Sequence, residues 1–232
     1  MKKKSLLFLF LFILFSGNAY AQKPLNDAMS WLSAGINQKI QYKWGVKLLT
    51  RFRIGENFTQ LNSWYSDLGV QYDINDKLNV TLNYVLAPSR AANMRFNNFH
   101  QYYGSINYKI KPFKHWEIAD RIILQRTSSG SVMDSGDPSK NSTDFRNKLE
   151  IGRKFNKHYS AFMADEVLLP LSSTPFEIKR NRFYAGINRV ITKRINLDMY
   201  FVLQSSYHSS SQNNRYYIYG LDFNYKLRRI LL

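Results

Sequence analysis

Hydrophobic and polar residues alternate with a period of two along most of this chain. In residues 144–155, Phe145 and Leu149 share one parity, whereas Arg146 and Lys148 share the other. Successive side chains of a β-strand point to opposite faces, so this pattern predicts a strand with one apolar and one charged face.

The same alternation recurs in six further segments, at 44–54, 64–74, 78–86, 101–110, 195–207 and 215–227. A tilted strand that crosses a bilayer needs roughly 9–11 residues, which these segments supply. A soluble β-sandwich also alternates, but its strands are usually about 5–6 residues long. The pattern predicts an all-β fold, a transmembrane antiparallel up-and-down β-barrel of about 10–12 strands.

The connections between these segments alternate between short and long. Short turns are predicted at 75–77, 111–113, 156–158 and 192–194, and longer Ser/Asn/Gly-rich loops at about 55–62, 87–98, 127–142, 170–180 and 208–214. In bacterial outer-membrane barrels the short turns are periplasmic and the long loops extracellular. This predicts ten crossing strands between Trp44 and Leu227, with both ends periplasmic.

Residues 30–40 do not fit this scheme, although they too could form a strand. A tight turn at 41–43 would make that strand begin on the outside, and only residues 22–29 remain to bring the chain there. Either a short, irregular twelfth strand precedes the segment, or the segment lies in or beneath the lumen.

Two predicted strands carry a carboxylate on their apolar face. Asp120 shares a parity with Ile118 and Ile122, and Asp165 shares one with Met163. A β-bulge would re-aim such side chains. A position near the membrane interface, where charge costs less, is the alternative.

The N-terminus has the three parts of a secretory signal peptide. Lys2, Lys3 and Lys4 precede the apolar run 6–15, and a small-residue cleavage site follows at 19–21. Removing 21 residues from 232 leaves 211. We expect a cleaved signal peptide at 1–21, an N-terminal segment at 22–43 that is an extra strand or a lumenal piece, and an outer-membrane barrel at 44–232.

The composition limits which classes of partner and cofactor we expect. The formal net charge is +17, or about +14 without the three signal lysines, and a basic balance can indicate nucleic acid. Acidic and aromatic residues interrupt every basic run, so we assign the charge to a lumenal face and expect no nucleic-acid partner. The absence of cysteine excludes disulfides and thiolate-bound metals. The expected partners are outer-membrane lipid, lipopolysaccharide and the barrel-assembly machinery, with no cofactor.

Several blocks of the chain resemble a known group. "LNVTLNYVLAP", "IADRIILQR", "DFRNKLEIGRKF", "MADEVLLPL" and "KRNRFYAGINRVI" followed by "LDMYFVLQS" are similar to successive blocks of domain of unknown function 2490, a family common in Bacteroidetes-type bacteria. The resemblance implies a single-chain outer-membrane barrel in a Gram-negative bacterium and supplies no activity. Gly220, Phe223 and Tyr225 resemble the barrel-assembly signal, although "KLRRILL" follows them.

The predicted inward faces bring together a network of charged residues: Arg121, Arg146, Lys148, Glu150, Glu166 and Arg182. Interior charges must be paired, so these residues predict a salt-bridge network that plugs the barrel. The alternative is a basic, anion-selective lumen, because inward Arg and Lys outnumber inward acids. Glu166 and Arg182 are expected to be neighbours across the loop near 170–175, since both lie at similar distances from it.

Enzymatic signals are sparse. Ser206, His208 and Ser210 suggest a surface hydrolase, but sequence proximity alone does not make a nucleophile. No histidine pair has metal-ligand spacing, and the acidic loop at 134–137 offers too few ligands for Ca²⁺. We expect no catalytic or metal residue and a structural protein or narrow pore with a charged lumen. The alternative is an outer-membrane hydrolase of lipid or lipopolysaccharide.

Overall fold

The computed structural model describes residues 25–40, 42–91, 93–129, 141–171, 178–207 and 214–228. The predicted signal peptide and the loop residues 134–137, His208 and Ser210 lie outside these ranges. The strands are β1 (Leu25–Lys39), β2 (Trp44–Gly55), β3 (Gln60–Asp73), β4 (Leu78–Leu86), β5 (Ser89–Arg90), β6 (Phe96–Asn97), β7 (Phe99–Phe113), β8 (Trp116–Ser129), β9 (Ser142–Lys154), β10 (Tyr159–Pro170), β11 (Arg180–Val190), β12 (Ile195–Ser206) and β13 (Asn214–Lys226).

The eleven long strands form one closed barrel. Neighbours along the chain pair antiparallel, and β1 lies between β2 and β13, which closes the sheet. The prediction of an all-β barrel of about 10–12 strands is therefore confirmed. The short strands β5 and β6 extend from β3 within the loop that joins β4 to β7.

The closing pair differs from the all-antiparallel expectation. β1 and β13 run parallel, with Leu25 opposite Asn214 and Asn37 opposite Lys226. The reason is the strand count, because an up-and-down barrel with an odd number of strands has its first and last strands pointing the same way. Residues 25–39 form a full barrel strand that pairs with β2 and β13, so the segment is an extra strand and does not lie in or beneath the lumen.

The ends of the strands define the two ends of the barrel. Short connections at 74–77, 114–115, 155–158 and 191–194 lie at one end, called the short-turn end, and the connections after β2, β4, β8, β10 and β12 lie at the long-loop end. The predicted turn at 111–113 is displaced, because β7 continues to Phe113 through a register shift after Ile110. Among the described residues no helix is long and apolar enough to cross a membrane.

The parity prediction holds for the exposure of side chains. Leu82 and Leu68 on the outer face are 74% and 50% exposed, whereas the inward Thr81 is 3% exposed. Val202 and Ile218 point inward from β12 and β13 and are fully buried. The barrel is therefore inverted relative to a soluble protein, with its apolar side chains outside.

The two misplaced carboxylates point outward from the middle of the barrel. The register around Asp120 and Asp165 is continuous, so no bulge re-aims them. Each instead has an amide partner on the neighbouring strand: Asn147 donates to Asp120 at 2.7 Å and Asn181 donates to Asp165 at 3.0 Å. Hydrogen bonding lowers the cost of placing a carboxylate on an apolar face.

Candidate functional site

The barrel encloses a cavity of about 820 Å³ that every long strand helps to line. Its walls are mainly polar and aromatic, because the polar parity of most strands faces inward. This lumen contains the six charged residues singled out in the sequence, and it is the candidate functional site.

Glu166 is the centre of the largest ion-pair cluster in the lumen. Its carboxylate accepts a hydrogen bond from Arg146 Nε at 2.7 Å and one from the Tyr184 hydroxyl at 2.7 Å. Arg182, its direct cross-strand neighbour, donates from Nη1 at 3.3 Å. Gln125 and Gln204 accept from Arg146 and Arg182 at 2.9 and 2.8 Å. Both arginines are therefore held by an anion and an amide, which fixes their direction.

The remaining members of the predicted network lie beside this cluster rather than within it. Lys148 and Glu150 form their own pair at 3.0 Å, and the Lys148 ammonium lies 4.7 Å from the Tyr184 ring centroid. Arg121 stacks over Tyr103 at 5.8 Å, and its buried Nε makes no hydrogen bond. The structure places three of the six residues in one cluster and two in a separate ion pair, and it leaves Arg121 outside both.

A second carboxylate cluster surrounds Asp222, and sequence reasoning did not find it. Arg51 donates to Asp222 at 2.7 Å, Tyr200 donates at 3.0 Å, and the Ser33 hydroxyl makes a short hydrogen bond to the same carboxylate. Arg51 Nε also donates to Ser33 at 2.7 Å. Arg51 and Asp222 occupy polar positions of the alternating segments 44–54 and 215–227, but only the parallel closure brings β13 close to β2.

Trp31 is a third feature that the sequence did not reveal. It is 3% exposed and packs with Val202 and Ile218 in the only buried apolar cluster of the described residues. The guanidinium carbons of Arg53, Arg51 and Arg182 lie 4.8, 5.2 and 5.3 Å from its ring centroids. An indole face attracts cations, so Trp31 gathers three arginines at one level of the lumen.

The residues of the suggested hydrolase are not brought together in the described part of the chain. Ser206 faces the lumen, where Gln204 donates to its hydroxyl at 3.3 Å, while His208 and Ser210 lie outside the described ranges. His100 contacts the Tyr84 hydroxyl at 2.7 Å. Within the described residues no group of three or more potential ligands could hold a metal ion.

The model of a family described as a protein of unknown function, DUF2490, matches residues 28–215. The match runs from β1 into β13 and so includes nearly the whole barrel. No curated protein matches the chain.

Proposed function

We propose that this chain, which belongs to the DUF2490 family of proteins of unknown function, is an integral outer-membrane β-barrel of a Gram-negative bacterium. In this proposal it has no catalytic activity and acts as a structural protein or a narrow pore with a charged lumen. It is exported by its signal peptide and inserted by the barrel-assembly machinery. Lipid and lipopolysaccharide then surround its outer face.

The observation that carries the membrane proposal is the outer face of the barrel. Aromatic residues lie at the short-turn end, and aliphatic residues such as Leu48, Leu82 and Ile106 lie above them and are 43%, 74% and 51% exposed. An apolar band that ends in aromatic girdles is typical of outer-membrane barrels. In water, an apolar surface of this extent would make the protein aggregate.

Cations stand beside the aromatic residues at the short-turn end. Lys43 lies over Tyr72 at 5.7 Å, and Arg153 lies over Trp116 at 5.3 Å. Arg189 lies over Tyr159 at 5.7 Å. Amphipathic rings with neighbouring Lys and Arg are found at the level of lipid headgroups. This arrangement supports an interface at the short-turn end.

The charge of the lumen supports the proposal that the interior acts as a narrow pore. Its arginines and lysines exceed what its carboxylates neutralise, so a solute path through it would favour anions.

Cell fractionation with heat-modifiable gel mobility tests the membrane proposal, and recovery in the soluble periplasmic fraction would reject it. Planar-bilayer recording in a salt gradient tests the pore: anion preference supports it, and absence of conductance leaves the structural role.

Hydrolysis is the competing function. A purified barrel that turns over lipid or lipopolysaccharide, and loses that turnover in His208→Ala, would replace the non-catalytic proposal. The described residues contain no arrangement that favours it, so we expect no turnover.

A further inference from the structure

Arginines accumulate in the lumen near the long-loop end. Arg53 lies near the end of β2, and Arg180 and Arg182 lie at the beginning of β11; we call these three residues the upper arginine cluster. Arg182 is shared with Glu166, but the ion pairs formed among the described residues include neither Arg53 nor Arg180. Within the described part of the chain, two positive charges are therefore left without a carboxylate.

The members of the cluster are held close together despite their like charge. Arg53 is the direct cross-strand neighbour of Trp31 and lies 4.8 Å from the ring centroids of both Trp31 and Tyr65. Arg182 approaches the same indole at 5.3 Å. Arg180 lies two residues before Arg182 on β11, so the two like-charged side chains project from the same face of the strand and repel each other. Aromatic faces offset only part of such repulsion.

The hydrogen-bonding groups left unused in this region are donors. Arg53 Nε, Arg180 Nε and Trp31 Nε1 are buried and make no hydrogen bond, and all three residues line the cavity. A buried donor without an acceptor is costly, and native proteins rarely leave several together. An acceptor that also carries negative charge would satisfy the donors and neutralise the arginines at once.

We propose that the upper arginine cluster and Trp31 form a binding site for a soluble, doubly charged oxyanion of the phosphate class. Two uncompensated guanidinium groups match a dianion in charge. Their planar donor sets suit phosphate oxygens, to which arginine binds in a bidentate manner. The indole N–H adds a neutral donor. The groups face the interior, so a free solute rather than a lipid headgroup is the ligand.

This inference rests on the proposed function, because it requires solutes to reach the lumen. The test uses the full-length barrel, purified in detergent and titrated with inorganic phosphate at constant ionic strength by calorimetry. Wild type should bind phosphate saturably, with one site per barrel, and phosphate should raise its melting temperature because a ligand stabilises the state that binds it. Chloride at the same ionic strength should do neither.

Arg53→Gln and Arg180→Gln should each weaken phosphate binding roughly ten- to hundredfold, since each removes charge-assisted hydrogen bonds. Both variants relieve repulsion, so they should fold at least as well as wild type, which heat-modifiable mobility checks. Lys109→Gln is the matched control. It removes a lumenal cation that already pairs with Glu117 at 2.9 Å, and it should leave phosphate binding unchanged.

Two results would overturn the site: no saturable phosphate binding by the folded wild-type barrel, or equal binding by wild type and the two arginine variants. Bilayer recording separates this failure from failure of the pore. Phosphate binding without conductance keeps the site and rejects the pore. Conductance with unaltered phosphate binding in Arg53→Gln and Arg180→Gln keeps the pore and rejects the site.

Discussion

Glu166 and Asp222 are two carboxylates that the barrel holds inside its lumen with similar partners. Each accepts hydrogen bonds from an arginine and from a tyrosine that projects from a neighbouring strand. The side chains of Glu166 and Asp222 are 4% and 15% exposed, so water replaces few of these contacts. The number of hydrogen bonds differs little between the two sites, with four to Glu166 and three to Asp222.

Their charge balance differs. Glu166 pairs with two arginines, Arg146 and Arg182. Among the described residues Asp222 pairs with Arg51 alone, and the inward carboxylate of Asp198 lies directly opposite it on β12. Loss of one negative charge therefore leaves two cations uncompensated at the first site and one at the second. The comparison suggests that net charge, more than the number of hydrogen bonds, decides how much each carboxylate stabilises the barrel.

The largest effect is expected for Glu166→Gln. The amide keeps the size of the side chain but leaves Arg146 and Arg182 without an anion, next to the upper arginine cluster. Removing one partner of a buried ion pair lowers the free energy of unfolding by about 3–5 kcal/mol. Denaturant unfolding of the barrel in detergent measures the loss.

Glu117→Gln provides the control for this substitution. Its partner Lys109 is 51% exposed, so its ion pair should contribute only about 0–1 kcal/mol. If Glu166→Gln and Glu117→Gln lower the free energy of unfolding equally, water screens the Glu166 cluster as fully as the ion pair between Lys109 and Glu117. The proposed difference between the two lumenal carboxylates would then be wrong.

The next largest effect is expected for the coupling free energy between Glu166 and Arg182. Arg182→Gln and the double variant with Glu166→Gln complete a thermodynamic cycle, and contacting groups in one network couple by up to about 3 kcal/mol. We expect a coupling free energy of about 2–3 kcal/mol, obtained from the unfolding of the four proteins. A coupling near zero would show that the two groups do not interact in solution.

A smaller loss is expected for Asp222→Asn. The amide oxygen still accepts from Ser33 or Tyr200, and only Arg51 loses an ion pair. We expect a decrease of about 1–2 kcal/mol in the free energy of unfolding. If the decrease equals that of Glu166→Gln, the number of arginines is not what distinguishes the two sites.

The smallest effect is expected for Asp198→Asn. Asp198 accepts hydrogen bonds from Asn188 and, at 3.2 Å, from Asn224, and it faces Asp222 across the strand pair. Neutralising it weakens these bonds but also removes repulsion between two carboxylates. The free energy of unfolding should change by less than about 1 kcal/mol. A large loss on the same denaturation assay would indicate that Asp198 has an unrecognised cationic partner.

The sequence predicts the Glu166 cluster better than the Asp222 cluster because the partners in the first cluster lie closer together along the chain. Glu166 and Arg182 flank one loop, so counting back from that loop is enough to pair them. Ser33 and Asp222 are separated by 189 positions, and no turn fixes the register of a parallel closing pair. The small and mixed residues of β1 also weaken its alternation, so parity does not predict which of its side chains complete this site.

Parity alone also could not identify the upper arginine cluster. It places Arg53 and Arg182 inside, as it places every other charged residue of the lumen. Whether a given arginine finds a carboxylate depends on distances between strands that are remote in sequence, such as β2 and β11. The outward Asp120 and Asp165 show a different limitation, because parity gives the face of a side chain but not its hydrogen-bond partner on the adjacent strand.

The parallel seam between β1 and β13 has a kinetic consequence for assembly. Each of the antiparallel pairs can form as a hairpin soon after its two strands are available, but β1 must wait for the last strand of the chain. Joining segments so far apart in sequence is entropically costly and slow. Until that step, β1 and β13 are free edges that can pair with other chains. The final strand therefore controls when the nascent sheet ceases to be an aggregation hazard.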